Sequence, residues 1–155
     1  MKHLILIFSL LLFQFSFSQK IITTGGWTDT FNASSINIAG KDYDANYLSA
    51  TNQTTIDAQP KGSGKRNSNK SAEIHIHKTD IDWHPDLKLE AKVTSQIHGN
   101  QTGTNFQDIT DFERFFFEIN YKVDNIPIQY RITGLSVTLP VKNYTTEVVY
   151  TIFDN

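Results

Sequence analysis

The chain reads as all-β, an antiparallel sandwich of seven or eight strands, on three observations. Side chains alternate apolar and polar over several segments, turn residues separate those segments at short intervals, and no segment carries a convincing 3.6-residue apolar period. Composition agrees: hydrophobic residues make up 39% of the 155 and charged residues 19%, too little charge for a coiled coil or charge-laced helical bundle. A net charge of −2 argues against a nucleic-acid partner, because phosphate contacts need a clustered basic surface.

The first 18 residues are expected to be an export signal. Lys2 and His3 precede an apolar stretch from Leu4 to Phe13, and the small residues Ser16 and Ser18 stand where signal peptidase reads. The apolar run is shorter than the ~20 residues that span a bilayer, so no membrane attachment is expected once the signal is cut. Cleavage after Ser18 leaves residues 19–155 as one domain, large enough to bury a continuous core. Of the 14 basic groups only Lys2 is lost and no acid, which leaves 13 against 16, a net of −3. The chain contains no cysteine, so the exported fold has neither disulfide nor lipidated cysteine and rests on packing alone.

Taken along the chain, the strand candidates begin with two weak ones, Ile36 to Ala39 and Thr54 to Ala58, and then Ala72 to His77. From Leu87 to Thr94 every odd residue is apolar and every even one polar, the pattern of a strand with one dry and one wet face. Phe112 to Tyr121 follows. From Ile126 to Thr133, Ile126, Ile128, Tyr130 and Ile132 face one way; after Gly134 the apolar set moves to Leu135, Val137, Leu139 and Val141. That phase slip at a glycine predicts a bulge or corner. The last run is Thr145 to Phe153. Leu89, Val93, Ile128, Tyr130, Ile132, Leu135, Val137 and Val148 are the expected core. Turns are expected at 61–71, 99–105, Pro85-Asp86 and Asp124-Asn125.

Two runs are apolar on both faces: Phe115-Phe116-Phe117, and Val148-Val149-Tyr150 followed by Ile152 and Phe153. Such strands lie centrally, gain cover from a loop or second sheet, or gain it from a partner chain. The last run stands next to the end of the sequence, so no later strand covers it. Val149, Thr151 and Phe153 are therefore the candidate assembly residues, pairing with an identical or related subunit by strand addition.

Other constellations carry less. Gly62-Ser63-Gly64-Lys65 lacks the earlier glycine and the following Ser or Thr of a phosphate loop, with Gln59 and Arg66 in those places; it reads as a solvated loop. His75 and His77, alternate residues of a strand, share a face and have the spacing of two metal ligands, with Asp80, Asp82 and His84 just beyond. The plainer reading is a wet strand face, and no tightly held metal is expected. Asp80 with Asp82, and Asp108 with Asp111, read as turn and strand-end residues rather than an acid/base pair. No Ser-His-acid arrangement stands out, so no catalytic residue and no cofactor are expected. Trp27 and Trp83, with Tyr43 and Tyr47, form the candidate platform for a glycan or small ligand.

Several segments together resemble small exported bacterial β-sandwich proteins of unassigned function. They are Ala39-Gly40-Lys41-Asp42-Tyr43, Asp82-Trp83-His84 with Leu87-Lys88-Leu89, and Ile128-Gln129-Tyr130-Arg131-Ile132-Thr133-Gly134. The ending, Leu139-Pro140 with Asn143-Tyr144-Thr145-Thr146-Glu147-Val148-Val149-Tyr150-Thr151-Ile152, resembles the terminal strands of spore-coat-U-like and pilin-like domains. That resemblance implies an immunoglobulin-like sandwich and a non-enzymatic surface, coat or adhesive subunit that assembles through strands. The chain departs from the pilin-like pattern in having no cysteine, and only Ile21-Ile22 as an apolar extension before Gly25-Gly26.

Overall fold

In a computed structural model of the protein, residues 18–31, 42–62, 70–95 and 103–154 are described. The export signal apart from Ser18, the weak strand Ile36 to Ala39, and the loop carrying Lys65 and Arg66 lie outside them. Within them the chain forms β1 (Lys20–Gly25), β2 (Asn46–Leu48), β3 (Thr54–Gln59), β4 (Ala72–Asp82), β5 (Lys88–Val93), β6 (Gln107–Asp108), β7 (Arg114–Ile119), β8 (Val123–Thr133) and β9 (Thr145–Asp154), and no helix. The strands make two antiparallel sheets. The larger runs β1-β3-β8-β5-β6, with β2 also on β8, and the smaller runs β7-β4-β9. One core joins them, drawing Ile56, Ile126, Ile128, Leu89, Ala91 and Val93 from the larger sheet and Ile74, Ile76, Phe116, Phe117, Tyr150 and Ile152 from the smaller.

β8 is the spine of the larger sheet. Its inward residues Ile126, Ile128 and Tyr130 are buried, and it is paired on both sides: Thr54 opposite Ile128 on β3, Tyr47 opposite Ile132 on β2, and Leu89 opposite Ile132 on β5. Between the ends of β2 and β3 the buried Ser49 fills the gap. Its Oγ accepts from the Tyr130 amide at 2.8 Å, its own amide donates to the Tyr130 carbonyl at 3.0 Å, and the Gln129 side chain donates to its carbonyl at 2.9 Å. Buried polar groups thus find partners where the ladder breaks.

The run of three phenylalanines is resolved by a bulge. Ile74 pairs with Phe117 but His75 with Phe115, so Phe116 is the extra residue, and an extra residue turns two successive side chains to one face. Phe116 and Phe117 are both fully buried, their rings 5.1 Å apart, while Phe115 is 40% exposed on the outer face. Internal cover accounts for Phe116 and Phe117, with no partner chain needed.

The two sheets are stitched along one side by residues 103–110. Val93 N donates to the Gly103 carbonyl at 2.7 Å, Ile109 N to Leu89 at 2.8 Å, and Lys78 N to Thr110 at 2.8 Å, while the Gln107 amide reaches the Phe116 carbonyl at 3.0 Å. This segment therefore runs from alongside β5 in one sheet to alongside β4 in the other before it enters β7.

Two expectations are corrected. Residues 134–144 form a looped connection rather than a strand. Val137, expected in the core, is 55% exposed, Val141 is fully exposed, and Leu135 is only partly buried. The cause is local: Gly134 turns at φ +85°, where a Cβ would overlap the Asp86 carbonyl oxygen, and the Asp42 carboxylate then holds Ser136 Oγ at 2.6 Å and the Val137 amide at 2.8 Å. Those bonds, with another from the Tyr43 amide, lower the Asp42 pKa below its ordinary value. The corner at the glycine is real, but the alternation beyond it belongs to a tethered turn. Asp124-Asn125, expected to be a turn, lies inside β8. Asn125 takes φ 58° and its amide donates to Asp57 Oδ1 at 2.7 Å, beside the register shift between Ile56 and Ala58. Asn tolerates the left-handed region well enough to form a bulge.

Candidate functional site

β9 differs from the other long strands in sharing a hydrogen-bonded ladder with one strand only, although the start of β1 also lies against it. It pairs with β4 over its whole length, from Ala72 opposite Asp154 to Asp82 opposite Thr145, and ends the smaller sheet. Alternation sends Val148, Tyr150 and Ile152 inward and Val149, Thr151 and Phe153 outward, so the three candidate assembly residues share one face. They stand opposite His77, His75 and Glu73.

That outer face is a mixed aromatic and polar surface. The His75 ring lies 4.7 Å from Phe153 and 6.1 Å from Phe115, both edge-on, and its Nε2 meets Glu73 Oε2 at 3.0 Å. Phe153 is 43% exposed. His77, beside Val149, has a buried Nδ1 without a hydrogen-bond partner. Hence the histidines do share a face, as expected. His75 is engaged by Glu73 and two rings, and among the described residues no group of three or more His, Asp or Glu side chains is arranged to hold a metal.

The free edge has one polar attachment that fixes its geometry. Gln19 Nε2 donates to the Ile152 carbonyl at 3.2 Å, so that carbonyl points away from β4. Because strand residues alternate in hydrogen-bonding direction, the amides and carbonyls of Val148 and Tyr150 also face the free edge. Beyond the strand's end, Lys61 N donates to Asp154 Oδ1 at 2.8 Å. The latch comes from the residue expected to begin the exported chain; the sequence gives no other signal of it.

Inside the same strand Tyr150 reaches across the core. Its hydroxyl lies 2.9 Å from that of Tyr130, which donates to Thr54 Oγ1 at 3.1 Å. Burial pushes both phenol pKa values up, Tyr150 furthest, with the neighbouring Tyr130 adding to it. This pair clamps β9 to β8 across the core.

The remaining candidates serve the frame. Trp27 and Trp83 are partly buried and pack against the core; Trp83 Nε1 donates to the Leu87 carbonyl at 2.8 Å, and Lys78 Nζ lies 5.9 Å from its ring. Tyr47 and Tyr43 gather on Phe31 instead, at 4.3 and 6.4 Å. Asp80 and Asp82 are held apart in separate ion pairs with Lys78 and Lys142, and Thr146 Oγ1 donates to Asp80 at 2.8 Å. His84 Nδ1 accepts from the Asp86 amide at 3.2 Å and its ring meets Tyr144 at 6.1 Å. Asp108 sits in β6 opposite Glu90, while Asp111 lies exposed in the bend before β7. No protein-family model, curated protein or solved structure matches the chain.

Proposed function

We propose that this is an exported, non-enzymatic surface, coat or adhesive subunit that associates with identical or related subunits through the edge of β9. The observation that carries the reading is a ten-residue strand paired on one side only. Its edge amides at Val148 and Tyr150 face outward, and Val149, Thr151 and Phe153 flank that edge on the outer face. Long edge strands are templates for pairing, which proteins blunt with charges, prolines or bulges; between Val148 and Phe153 this edge has none of the three. The resemblance of the terminal strand to those of immunoglobulin-like coat and pilin-like subunits points the same way.

The test is the oligomeric state of the exported protein across concentration by analytical ultracentrifugation, with intact mass checking that residues 1–18 are gone. Concentration-dependent association abolished by Val149→Lys supports the reading. A monomer at every concentration sinks it, and glycan binding lost on Trp83→Ala would then favour a ligand-binding module instead.

A further inference from the structure

Resting on that reading only for the cut that makes Gln19 the first residue, we infer that Gln19 is a modification site whose cyclisation to pyroglutamate unlatches β1 from β9. A single atom, Gln19 Nε2, serves both events. It donates to the Ile152 carbonyl at 3.2 Å, and it is the nitrogen that cyclisation expels.

β1 depends on that bond because little else holds its start. The strand pairs with β3 from Lys20 opposite Gln59 to Gly25 opposite Thr54, yet of its side chains only Ile21 packs against the core. Its far end is fixed by Gly25, which takes φ +108° where a Cβ would overlap the Gln53 carbonyl oxygen. At its near end the Gln19 latch ties the larger sheet to the smaller, and chain ends fray unless they are tied down.

The junction lies where processing can reach it. Ser18, Gln19 and Lys20 are exposed, and Ser18 Oγ donates to the Gln19 carbonyl at 3.1 Å, a contact that does not involve the Gln19 side chain. Removing Ser18 therefore leaves the latch in place and turns the Gln19 nitrogen into a free amine. When neutral, that amine attacks Cδ of its own side chain. The N–Cδ bond closes the lactam ring, the Cδ–Nε2 bond breaks, one proton passes from the attacking to the leaving nitrogen, and ammonia departs. Nothing is oxidised or reduced. Amine and carbonyl belong to one residue, so the step is unimolecular.

The product has no Nε2. The Ile152 carbonyl loses its partner at the edge of β9, and the start of β1 keeps only Ile21 and the ladder to β3. The latch in turn slows the step, because the leaving nitrogen must first give up the Ile152 carbonyl.

The exported protein itself is the test material, incubated above the ordinary α-amino pKa so that the amine is neutral. Mass and fragmentation of the N-terminal peptide follow loss of one ammonia at residue 19, and hydrogen exchange follows Lys20 to Ile22. Ammonia loss should bring about fivefold faster exchange in that segment, the factor that one net hydrogen bond is worth. It should itself run about fivefold slower than in the urea-unfolded chain. Gln19→Ala, its first residue checked by mass, should lose no ammonia and exchange from the outset at the cyclised rate. A chain already cyclised when isolated must match Gln19→Ala in exchange.

No ammonia loss at residue 19, or ammonia loss with exchange unchanged, overturns the inference, as does a Gln19→Ala chain that exchanges like the latched one. A chain beginning at any residue other than Gln19 overturns it together with the expected cut, whereas a monomer at every concentration sinks the assembly reading alone.

Discussion

β8 and β9 are similar in length and in alternation, and they differ in their neighbours. β8 has strands along both edges, buries Ile126, Ile128 and Tyr130, and meets Ser49 where the pairing breaks. β9 sends Tyr150 and Ile152 into the same core but is paired only with β4. The contrast separates two jobs that one side-chain pattern can do. Inward residues decide stability in both strands; outward residues and unpaired backbone are available to a partner only where no neighbour has taken the edge.

The largest expected effect falls on the shared core. Phe117→Ala should cost about 3–5 kcal/mol of unfolding free energy, because Phe117 is fully buried beside Phe116; urea denaturation measures it. Gly134→Ala should cost at least about 1–2 kcal/mol, since the residue adopts a left-handed backbone against the Asp86 carbonyl. A neutral result there would show that the corner after β8 can relax.

The tyrosine clamp between the two strands gives a pH signature. Both phenols titrate above the ordinary value of 10.0 in the folded state. An unfolded chain ionises them first, so folding stability is fully present below pH 10 and falls as pH rises above it toward the folded values. Thermal melts across alkaline pH should show that fall, less steeply in Tyr150→Phe. Equal slopes in the two proteins would contradict the clamp.

The smallest effect on folding is the most informative about the contrast. Val149→Lys places a charge on the outer face of β9, away from the core, and should change unfolding free energy by no more than about 0.5 kcal/mol while removing association. The equivalent outward change on β8, Arg131→Ala, breaks the paired contact with Glu90 and the stacking of Arg131 4.3 Å from the Phe106 ring. It should cost about 1 kcal/mol, given that the pair is partly exposed, and leave association untouched.

Alternation made the inward sets of β5, β8 and the later part of β9 legible, because one face of each lies on the core. The same rule misread Leu135 to Val141, where the period is present but Asp42 and Gly134 impose a turn through contacts distant in sequence. The short strands β1, β2 and β6 carry almost no buried side chains and so leave no periodic signal. Phe116 shows a further limit: three adjacent phenylalanines announce two-sided burial, but only the pairing with Ile74 and His75 reveals a bulge. For the site, strand alternation along β9 puts Val149, Thr151 and Phe153 on one face. The outward direction of the Val148 and Tyr150 amides needed the bond from Gln19.

Amide hydrogen exchange on β9 at low and high protein concentration tests the central claim most directly. The Val148 and Tyr150 amides should exchange fast in dilute solution and become protected as concentration rises, while those of Val149 and Thr151, already bonded to β4, stay protected throughout. Val148 and Tyr150 amides that are equally protected at both concentrations, or equally unprotected, would contradict it.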